Sequence, residues 1–274
     1  MHLALRDRVR RGEILGPTII TAGPILDGDP PVHPGSFVVR SAADALEAIR
    51  LHRTMGYDFV KVYSRLGEPA LEAIAHASKD AGLAVVGHVA RDAGLARAID
   101  LGQAGIEHVN SFYEALQADG SPVKGRFDGD ALDQKPMYID DAKLAPLARS
   151  LRAHDVSVCP TINLANQLAP APALRERLER AEMRYVMPCD LAIWRSEASD
   201  ASSAALRERE VGVGKKIVRA LHDGGVRLLA GTDTGNPLSI FGRWDLGHGM
   251  TPTPKPVPAG SVAAKPTAAS QTGD

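Results

Sequence analysis

Short apolar runs alternate along this chain with segments of helical period, and this alternation constrains the fold more than any other feature. The strand-like runs are PTIITA (17–22), YDFVKVY (57–63), LAVVGHV (83–89), GIEHV (105–109), VSVCPTI (156–162) and VRLLAGT (226–232). Alternating strands and helices are typical of βαβ units, which form a parallel sheet. Because the runs are almost wholly apolar, we expect strands that are covered on both faces. The sequence predicts an α/β fold.

Residues that cap helices mark the segments between these runs. The segment 41–56 begins with Ser41 as N-cap and ends at Gly56, and the segment 68–82 ends at Gly82. Further helical segments cover 92–102, 140–155, 173–209 and 211–225. Counting strands with their helices gives about six β/α units, two short of a closed (β/α)8 barrel of the TIM type.

The remaining segments predict a loop and a tail. Residues 116–138 carry Gly, Asp and Pro without periodicity, which predicts a long loop that shapes a substrate pocket. The end of the chain is rich in Pro, Ala and Thr and has almost no bulky apolar residue, so it cannot bury enough surface to fold. We therefore expect a partial β/α barrel over 1–240 and a disordered, low-complexity tail over 241–274.

Composition excludes several classes of function. The 274 residues are 44% hydrophobic with a net charge of −1, which suits one large domain and gives no basic surface for nucleic acid. Cys159 and Cys189 are too few for a disulfide framework or a cysteine zinc site. No apolar run approaches the roughly 18 residues of a membrane span, so we expect no membrane partner and a cytoplasmic location. A periplasmic or secreted location stays open if a signal peptide has been lost.

Two histidines end neighbouring strand-like runs. His88 lies in AVVGHV and His108 in GIEHVN, and each is followed by a valine. Side chains at the carboxyl ends of adjacent parallel strands converge at the mouth of a barrel, and imidazole is a good ligand for zinc and related ions. Either histidine alone would more often be structural, but together they predict a metal site.

Lys61 and Asp233 offer complementary chemistry. Within the apolar run DFVKVY, Lys61 could form a carbamate with carbon dioxide or a Schiff base with a carbonyl substrate. It could also be a strand-end lysine whose amine reaches solvent. Asp233 lies in GTDTG, where a glycine on each side lets the backbone turn sharply after the strand. Its carboxylate could bind metal and take a proton from water, or it could cap the following helix or loop.

These motifs, in their order along the chain, resemble the amidohydrolase superfamily. VKVY, GHV, GIEHV, a strand with CPT, and LLAGTDTGNP are similar to its imidazolonepropionase and Xaa-Pro dipeptidase-like branch, and the opening LRDRVRRGEILGPTIITAG also resembles that branch. The resemblance covers about residues 1–240. It implies a metal-dependent hydrolase that attacks C–N bonds of an amide, dipeptide or cyclic amide or amidine with activated water.

The resemblance also implies a role for individual residues. Lys61 would be the carboxylated lysine that bridges metals, and His88 and His108 would bind the second metal. Asp233 would bind the first metal and move the proton of the attacking water, and Tyr63 could polarise the substrate carbonyl, although a packed tyrosine is an equal alternative. Zinc is the expected ion, one or two per chain, with carbon dioxide held as the lysine carbamate.

One part of the family's site has no counterpart. The His-x-His pair that holds the first metal is missing, because the other histidines stand alone: His2, His33, His52, His76, His154, His222 and His248. The first two barrel strands have no counterpart either, so we expect a fragment that is truncated at both ends, and whose activity is open. A homo-oligomer or a complementing chain could complete the barrel. The alternatives are a non-catalytic binding or assembly remnant and a Schiff-base lyase that uses Lys61.

Overall fold

The computed structural model describes residues 2–162, 176–197 and 204–233. The α-helices are α1 (His2–Arg10), α2 (Ala42–Met55), α3 (Glu68–Ala81), α4 (Gly94–Asp100), α5 (Gly129–Gln134), α6 (Leu144–Ala153), α7 (Pro188–Glu197) and α8 (Ala204–Asp223). The strands are β1 (Leu26–Asp27), β2 (Phe37–Val38), β3 (Phe59–Val62), β4 (Ala84–Gly87), β5 (Gly105–Glu107), β6 (Ser157–Cys159) and β7 (Arg227–Leu228). Short 3-10 helices cover Val109–Phe112, Lys135–Tyr138, Asp141–Lys143 and Ala181–Tyr185.

The strands form one sheet in the order β2-β1-β3-β4-β5-β6-β7. Each of these neighbouring pairs is parallel, with Lys61 opposite Val86 and Glu107 opposite Cys159 in the register. Because helices separate most of these strands, the chain has the α/β fold that the sequence predicts. The carboxyl ends of β3, β4, β5 and β6 consequently meet at one edge of the sheet.

The two faces of the sheet differ in burial. In β3, Val60 and Val62 are fully buried, whereas Lys61 between them is only half-buried. Likewise Val158 in β6 is fully buried and its neighbour Cys159 is not. The helices thus cover one face, and the expectation that both faces are covered is wrong for these strands. The half-buried face carries the polar side chains.

Helices α2 and α3 begin and end where the sequence predicts. The Ser41 hydroxyl accepts from the amide of Asp44 at 3.2 Å, and the Asp44 carboxylate accepts from the amide of Ser41 at 3.0 Å, which forms a capping box. The chain leaves both helices through a left-handed glycine, Gly56 and Gly82. These ends fix how far each helix runs before the next strand begins.

Two groups of buried apolar side chains hold the helices on the sheet. One packs β1, β3 and β4 against α2 and α3, and Leu26 and Ile74 are fully buried in it. The other packs β5 and β6 against α6 and α8, with Phe112 and Ile217 fully buried. Each such side chain contributes about 1.5–3 kcal/mol by leaving water. The packing fixes the strand ends that carry the candidate site.

The structure corrects three boundaries. The run 17–22 is not a strand, because only Ala22 forms an isolated bridge, with Phe59. The two-residue strands β1 and β2 take its place at that side of the sheet, so the sheet has seven strands where the sequence predicts six. The predicted loop 116–138 contains α5 and a 3-10 helix.

Part of the predicted organisation lies outside the described residues. This applies to the tail over 241–274 and to part of the helical segment 173–209, within which the structure describes 176–197 and 204–209. Within the described ranges, no helix combines the length and the apolar character that a membrane crossing requires.

Candidate active site

The residues that the sequence singles out gather at the carboxyl edge of the sheet. Lys61 lies in β3 and Tyr63 directly follows that strand. His88 directly follows β4, and His108 directly follows β5. Asp233 lies on the segment after β7, and its Oδ2 is 4.0 Å from Nε2 of His108. The carboxyl ends of parallel strands are where β/α barrels place their catalytic groups.

A row of aromatic rings runs along this edge. The ring centroids of Tyr63 and His88 are 3.9 Å apart, and those of His88 and His108 are 4.6 Å apart. His33, from the loop after β1, extends the row, with its ring 4.8 Å from that of Tyr63 and its Nε2 2.8 Å from the tyrosine hydroxyl. The structure thus adds a histidine that the sequence left isolated, and this histidine orients the Tyr63 hydroxyl.

His108 is held on both sides of its ring. Its Nδ1 lies 2.5 Å from the Thr161 hydroxyl, and both residues are buried. Burial lowers the pKa of His108 below its usual value, while the negative charges of Asp233 and Glu107 oppose that shift. The hydrogen bond with Thr161 uses Nδ1, and this leaves Nε2 directed toward the Asp233 side of the site.

His88 is fixed through its backbone. The side-chain amide of Gln103, only 3% exposed, donates Nε2 toward the carbonyl oxygens of Gly87 at 3.2 Å, His88 at 3.3 Å and Gly105 at 3.1 Å. The imidazole itself is different, since its buried Nδ1 has no hydrogen-bond partner within the described part of the chain. Burial, followed by the nearby positive charge of His108 and Lys61, lowers the pKa of His88 to about 3.

Lys61 forms an ion pair that the sequence analysis did not anticipate. Its Nζ donates to Oε2 of Glu107 at 3.0 Å, and the two side chains are 25% and 28% exposed. The sequence suggested an unpaired amine in an apolar strand. Instead, the amine lies on the half-buried face, beside the glutamate that precedes His108.

Unusual backbone conformations cluster at the site. His108, Thr161 and Asp233 have positive φ angles of 66°, 44° and 51°, which non-glycine residues rarely adopt. Each such residue costs about 1–3 kcal/mol and persists only where its surroundings enforce it. Gly87 meets a similar demand beside His88, because at its φ of 125° a Cβ would collide with the carbonyl oxygen of Val62. Strain of this kind is typical of functional sites.

The donors at this edge suit a divalent ion in their chemistry. Imidazole nitrogen and carboxylate oxygen are ligands for zinc, and the unpartnered, buried Nδ1 of His88 is a donor of that type. Across residues 2–162, 176–197 and 204–233, no three His, Cys, Asp or Glu side chains lie close enough together to form a ready metal site. Lys61, which the resemblance implies as a bridging ligand after carboxylation, is not one of those residue types.

Four residues of this site were missed by sequence reasoning: His33, Gln103, Glu107 and Thr161. Glu107 and Thr161 had a usable signal, because each lies within a motif already singled out, GIEHV and CPT. For His33 and Gln103 no pattern in the sequence indicates a role. Both reach the site only through tertiary contacts.

Comparison with known proteins supports the same fold. No family model matches the sequence, and a search of curated proteins gives no match. Among solved structures, bottromycin amidohydrolase is 25% identical with a TM-score of 0.65, over 86% of this chain and 51% of that chain. A prolidase complexed with N-methylphosphonate-L-proline is 19% identical with a TM-score of 0.51, over 84% and 52%. The A. niger ochratoxinase is 14% identical with a TM-score of 0.51, over 84% and 49%.

These neighbours are members of the amidohydrolase superfamily, and the resemblance that the motifs predict is confirmed. The chain has the fold of that superfamily's β/α barrel, as a parallel sheet with its helices. It spans about half the length of the solved structures it matches, which are covered over 49–52% of their chains.

Proposed function

We propose that this chain is a hydrolase of C–N bonds that acts on an amide, a dipeptide or a cyclic amide or amidine. The observation that carries the proposal is the meeting of His88, His108 and Asp233 at the carboxyl edge of the sheet, with ring centroids at 4.6 Å and His108 Nε2 at 4.0 Å from the carboxylate. The names of the structural neighbours, an amidohydrolase and a prolidase, support the same reaction class.

We further propose that His88, His108, Asp233 and Lys61 hold a divalent metal, with zinc the first choice. A bound ion would supply Lewis acidity to the attacking water and to the substrate carbonyl. The Lys61 amine would be held as a carbamate, as the resemblance implies. Because Glu107 lies 3.0 Å from Nζ, carboxylation would place a second negative group beside this carboxylate, which favours a cation at the same place.

The protein's own groups would handle protons and orientation. Asp233 would accept the proton of the attacking water, a task that suits a carboxylate within reach of the reacting atoms. Tyr63 would donate its hydroxyl proton to the substrate carbonyl oxygen. His33 Nε2, which lies 2.8 Å from the hydroxyl oxygen of Tyr63, would keep this group in position. The burial of His108 and of the Nδ1 atom of His88 would limit the access of water to these ring nitrogens.

The Schiff-base alternative explains less of the site. A lyase of this kind gives no joint role to His88, His108 and Asp233, which meet at the same edge of the sheet. Borohydride trapping with a carbonyl compound tests it directly. A reduced adduct on Lys61 would favour the lyase over the hydrolase.

Hydrolysis of C–N bonds by the full 274-residue chain, supplied with zinc and bicarbonate, tests the proposal. A panel of dipeptides, N-acyl amino acids and cyclic amides would be followed by release of amine. Asp233→Asn should lower the rate by about 10²–10⁴-fold, the usual contribution of a general base. His76→Ala is the matched control, because His76 is exposed on α3 and away from the sheet edge. Turnover that Asp233→Asn leaves unchanged would contradict the proposal.

A further inference from the structure

Asp27, the last residue of β1, carries a fully buried carboxylate that joins two loops. Its Oδ1 accepts the backbone amides of Gly28 and Arg65, both at 2.9 Å, and its Oδ2 accepts the amide of Val32 at 2.8 Å. Three donated hydrogen bonds match the acceptor-only oxygens of an ionised carboxylate, which is otherwise costly to bury. Because Gly28 and Val32 follow β1 whereas Arg65 follows β3, this side chain ties together the loops that leave two neighbouring strands.

The backbones of the two loops are also in close contact. A Cβ on Gly28 would collide with the carbonyl oxygen of Arg65, so only glycine leaves room for this approach. The Arg65 guanidinium donates its Nη1 proton to the carbonyl oxygen of Pro30 at 2.9 Å. The amide of Tyr63 donates to the carbonyl oxygen of Leu26 at 3.0 Å. These contacts fix the position of one loop relative to the other.

The position of His33 depends on this anchored loop. His33 follows Val32, whose amide Asp27 accepts, and its Nε2 lies 2.8 Å from the hydroxyl oxygen of Tyr63. The His33 side chain is exposed, so its contact with Tyr63 competes with water and cannot by itself hold the loop. A shift of the loop after β1 would therefore move His33 away from the Tyr63 hydroxyl.

The same loops form one wall of a cavity of about 630 Å³ beside the ring row. Val32, Tyr63 and Arg65 line this wall, and the segment 116–138 lines another part, as the sequence predicts. A cavity of this size accommodates a small organic molecule. Asp27 is fully buried and does not line the cavity, so it acts on a bound molecule only through the loops that it holds.

We propose that Asp27 is a positioning residue, which holds the loop after β1 so that His33 stays against the Tyr63 hydroxyl. Arg65 assists by its hydrogen bond to Pro30. Tyr63 is the group that would donate to the substrate carbonyl oxygen, and a donor of this kind works only when its orientation is fixed beforehand. The link to catalysis rests on the proposed function, whereas the position of His33 can be measured without turnover.

Asp27→Asn in the full chain tests the proposal, because it keeps the size of the side chain and replaces one acceptor oxygen by a donor. If the amide oxygen keeps the two donors at Oδ1, the NH2 group faces the amide of Val32 and releases the loop beside His33. The imidazole nitrogen signals of His33 in NMR spectra report the result, and His33→Gln assigns them. Tyr63→Phe shows where these signals lie when the hydroxyl is absent.

In Asp27→Asn, the His33 signals should move most of the way from their wild-type position to their position in Tyr63→Phe. Asp58→Asn is the matched control, because Asp58 also accepts a backbone amide, that of Thr21 at 2.8 Å, but directly precedes β3 at the opposite end of the strand. Its His33 signals should stay at the wild-type position. Unmoved His33 signals in folded Asp27→Asn, or equal shifts in the two variants, would overturn the proposal.

Arg65→Gln decides the matter if circular dichroism shows that Asp27→Asn is unfolded. The Arg65 side chain is exposed, and its loss removes only the hydrogen bond to the Pro30 carbonyl. The His33 signals should move in the same direction as in Tyr63→Phe, by a smaller amount. His33 signals that stay at the wild-type position in Arg65→Gln would then overturn the proposal.

Kinetics with a hydrolysed panel compound test the link to the reaction. Asp27→Asn should lower kcat/KM by at least about tenfold, since small displacements of a positioned group are costly in rate. In the Tyr63→Phe background the same substitution should lower kcat/KM by less than about threefold, because two changes that act through one hydroxyl are not additive. Equal effects of Asp27→Asn in both backgrounds would show that Asp27 does not act through Tyr63.

The two measurements separate the positioning role from the hydrolase. Shifted His33 signals in Asp27→Asn, without hydrolysis of any panel compound, would support the positioning role and count against the proposed function. Hydrolysis by the wild type, together with unmoved His33 signals in folded Asp27→Asn, would do the reverse.

Discussion

Replacing Gln103 by Glu should destabilise the chain by at least about 3 kcal/mol. The Gln103 amide donates toward three carbonyl oxygens at 3.1–3.3 Å and links the last residue of β4 to the first residue of β5. An amide nitrogen has two hydrogens, so its replacement by a carboxylate oxygen removes about two hydrogen bonds. This loss lowers the free energy of unfolding by about 1–3 kcal/mol in all. The carboxylate would in addition be buried against those oxygens without a partner, which costs about 3–5 kcal/mol when a charge is uncompensated. The free energy of unfolding of native proteins is only about 5–15 kcal/mol, so a loss of this size is a large part of the total.

Urea denaturation followed by circular dichroism measures this effect. Gln103→Leu is the informative comparison, because it removes the donor together with Oε1, a buried atom without a hydrogen-bond partner among the described residues. Loss of the donated hydrogen bonds destabilises the variant, whereas loss of the unpartnered Oε1 stabilises it. The free energy of unfolding of the Leu variant should therefore fall by less than about 2 kcal/mol. Protonation would return one hydrogen to the Glu variant, so its deficit should shrink as the pH falls and grow as the pH rises. A Glu variant as stable as the Leu variant at pH 8 would show that the buried carboxylate carries no such penalty.

Three further changes test the packing and the site. Phe112→Ala, at a fully buried ring, should cost about 3–5 kcal/mol in urea denaturation, and a loss below 1 kcal/mol would place the ring outside the core. Thr161→Val keeps the shape but removes the hydrogen-bond partner of His108 Nδ1. We expect the free energy of unfolding to fall by about 1–3 kcal/mol and the imidazole signal of His108 to change in NMR spectra. An unaltered signal would argue against the hydrogen bond. Gly87→Ala should cost more than about 1–3 kcal/mol, because it adds a collision with the Val62 carbonyl to the strain of a positive φ; an unchanged melting temperature would show that the strands can move apart.

Much of the fold could be predicted because local signals and tertiary structure agree. The strands β3 to β6 coincide with apolar runs, and Gly56 and Gly82 end α2 and α3 as the capping rules require. The strands β1 and β2 were not predicted because each has only two residues and, unlike β7, neither lies within a longer apolar run. The run 17–22 has strand composition, yet only Ala22 finds a bridge partner, and strand formation depends on that partner.

The candidate site was predictable only in part. His88, His108 and Asp233 each follow a strand, so parallel topology alone brings them to one edge. The contacts of His33 and Gln103 depend on how a loop and a helix end pack against that edge, which no periodicity encodes. Roles of this kind become visible only when the side chains are placed in three dimensions.

The metal-dependent hydrolytic site that we propose at this sheet edge must bind an ion. Metal content per chain, measured by mass spectrometry after dialysis against zinc and bicarbonate, tests it most directly. We expect about one ion per wild-type chain, retained in the control His76→Ala and lost in the double variant His88→Ala, His108→Ala, provided that circular dichroism shows all three folded. The same zinc content in the double variant as in the wild type, or none in either, would contradict it.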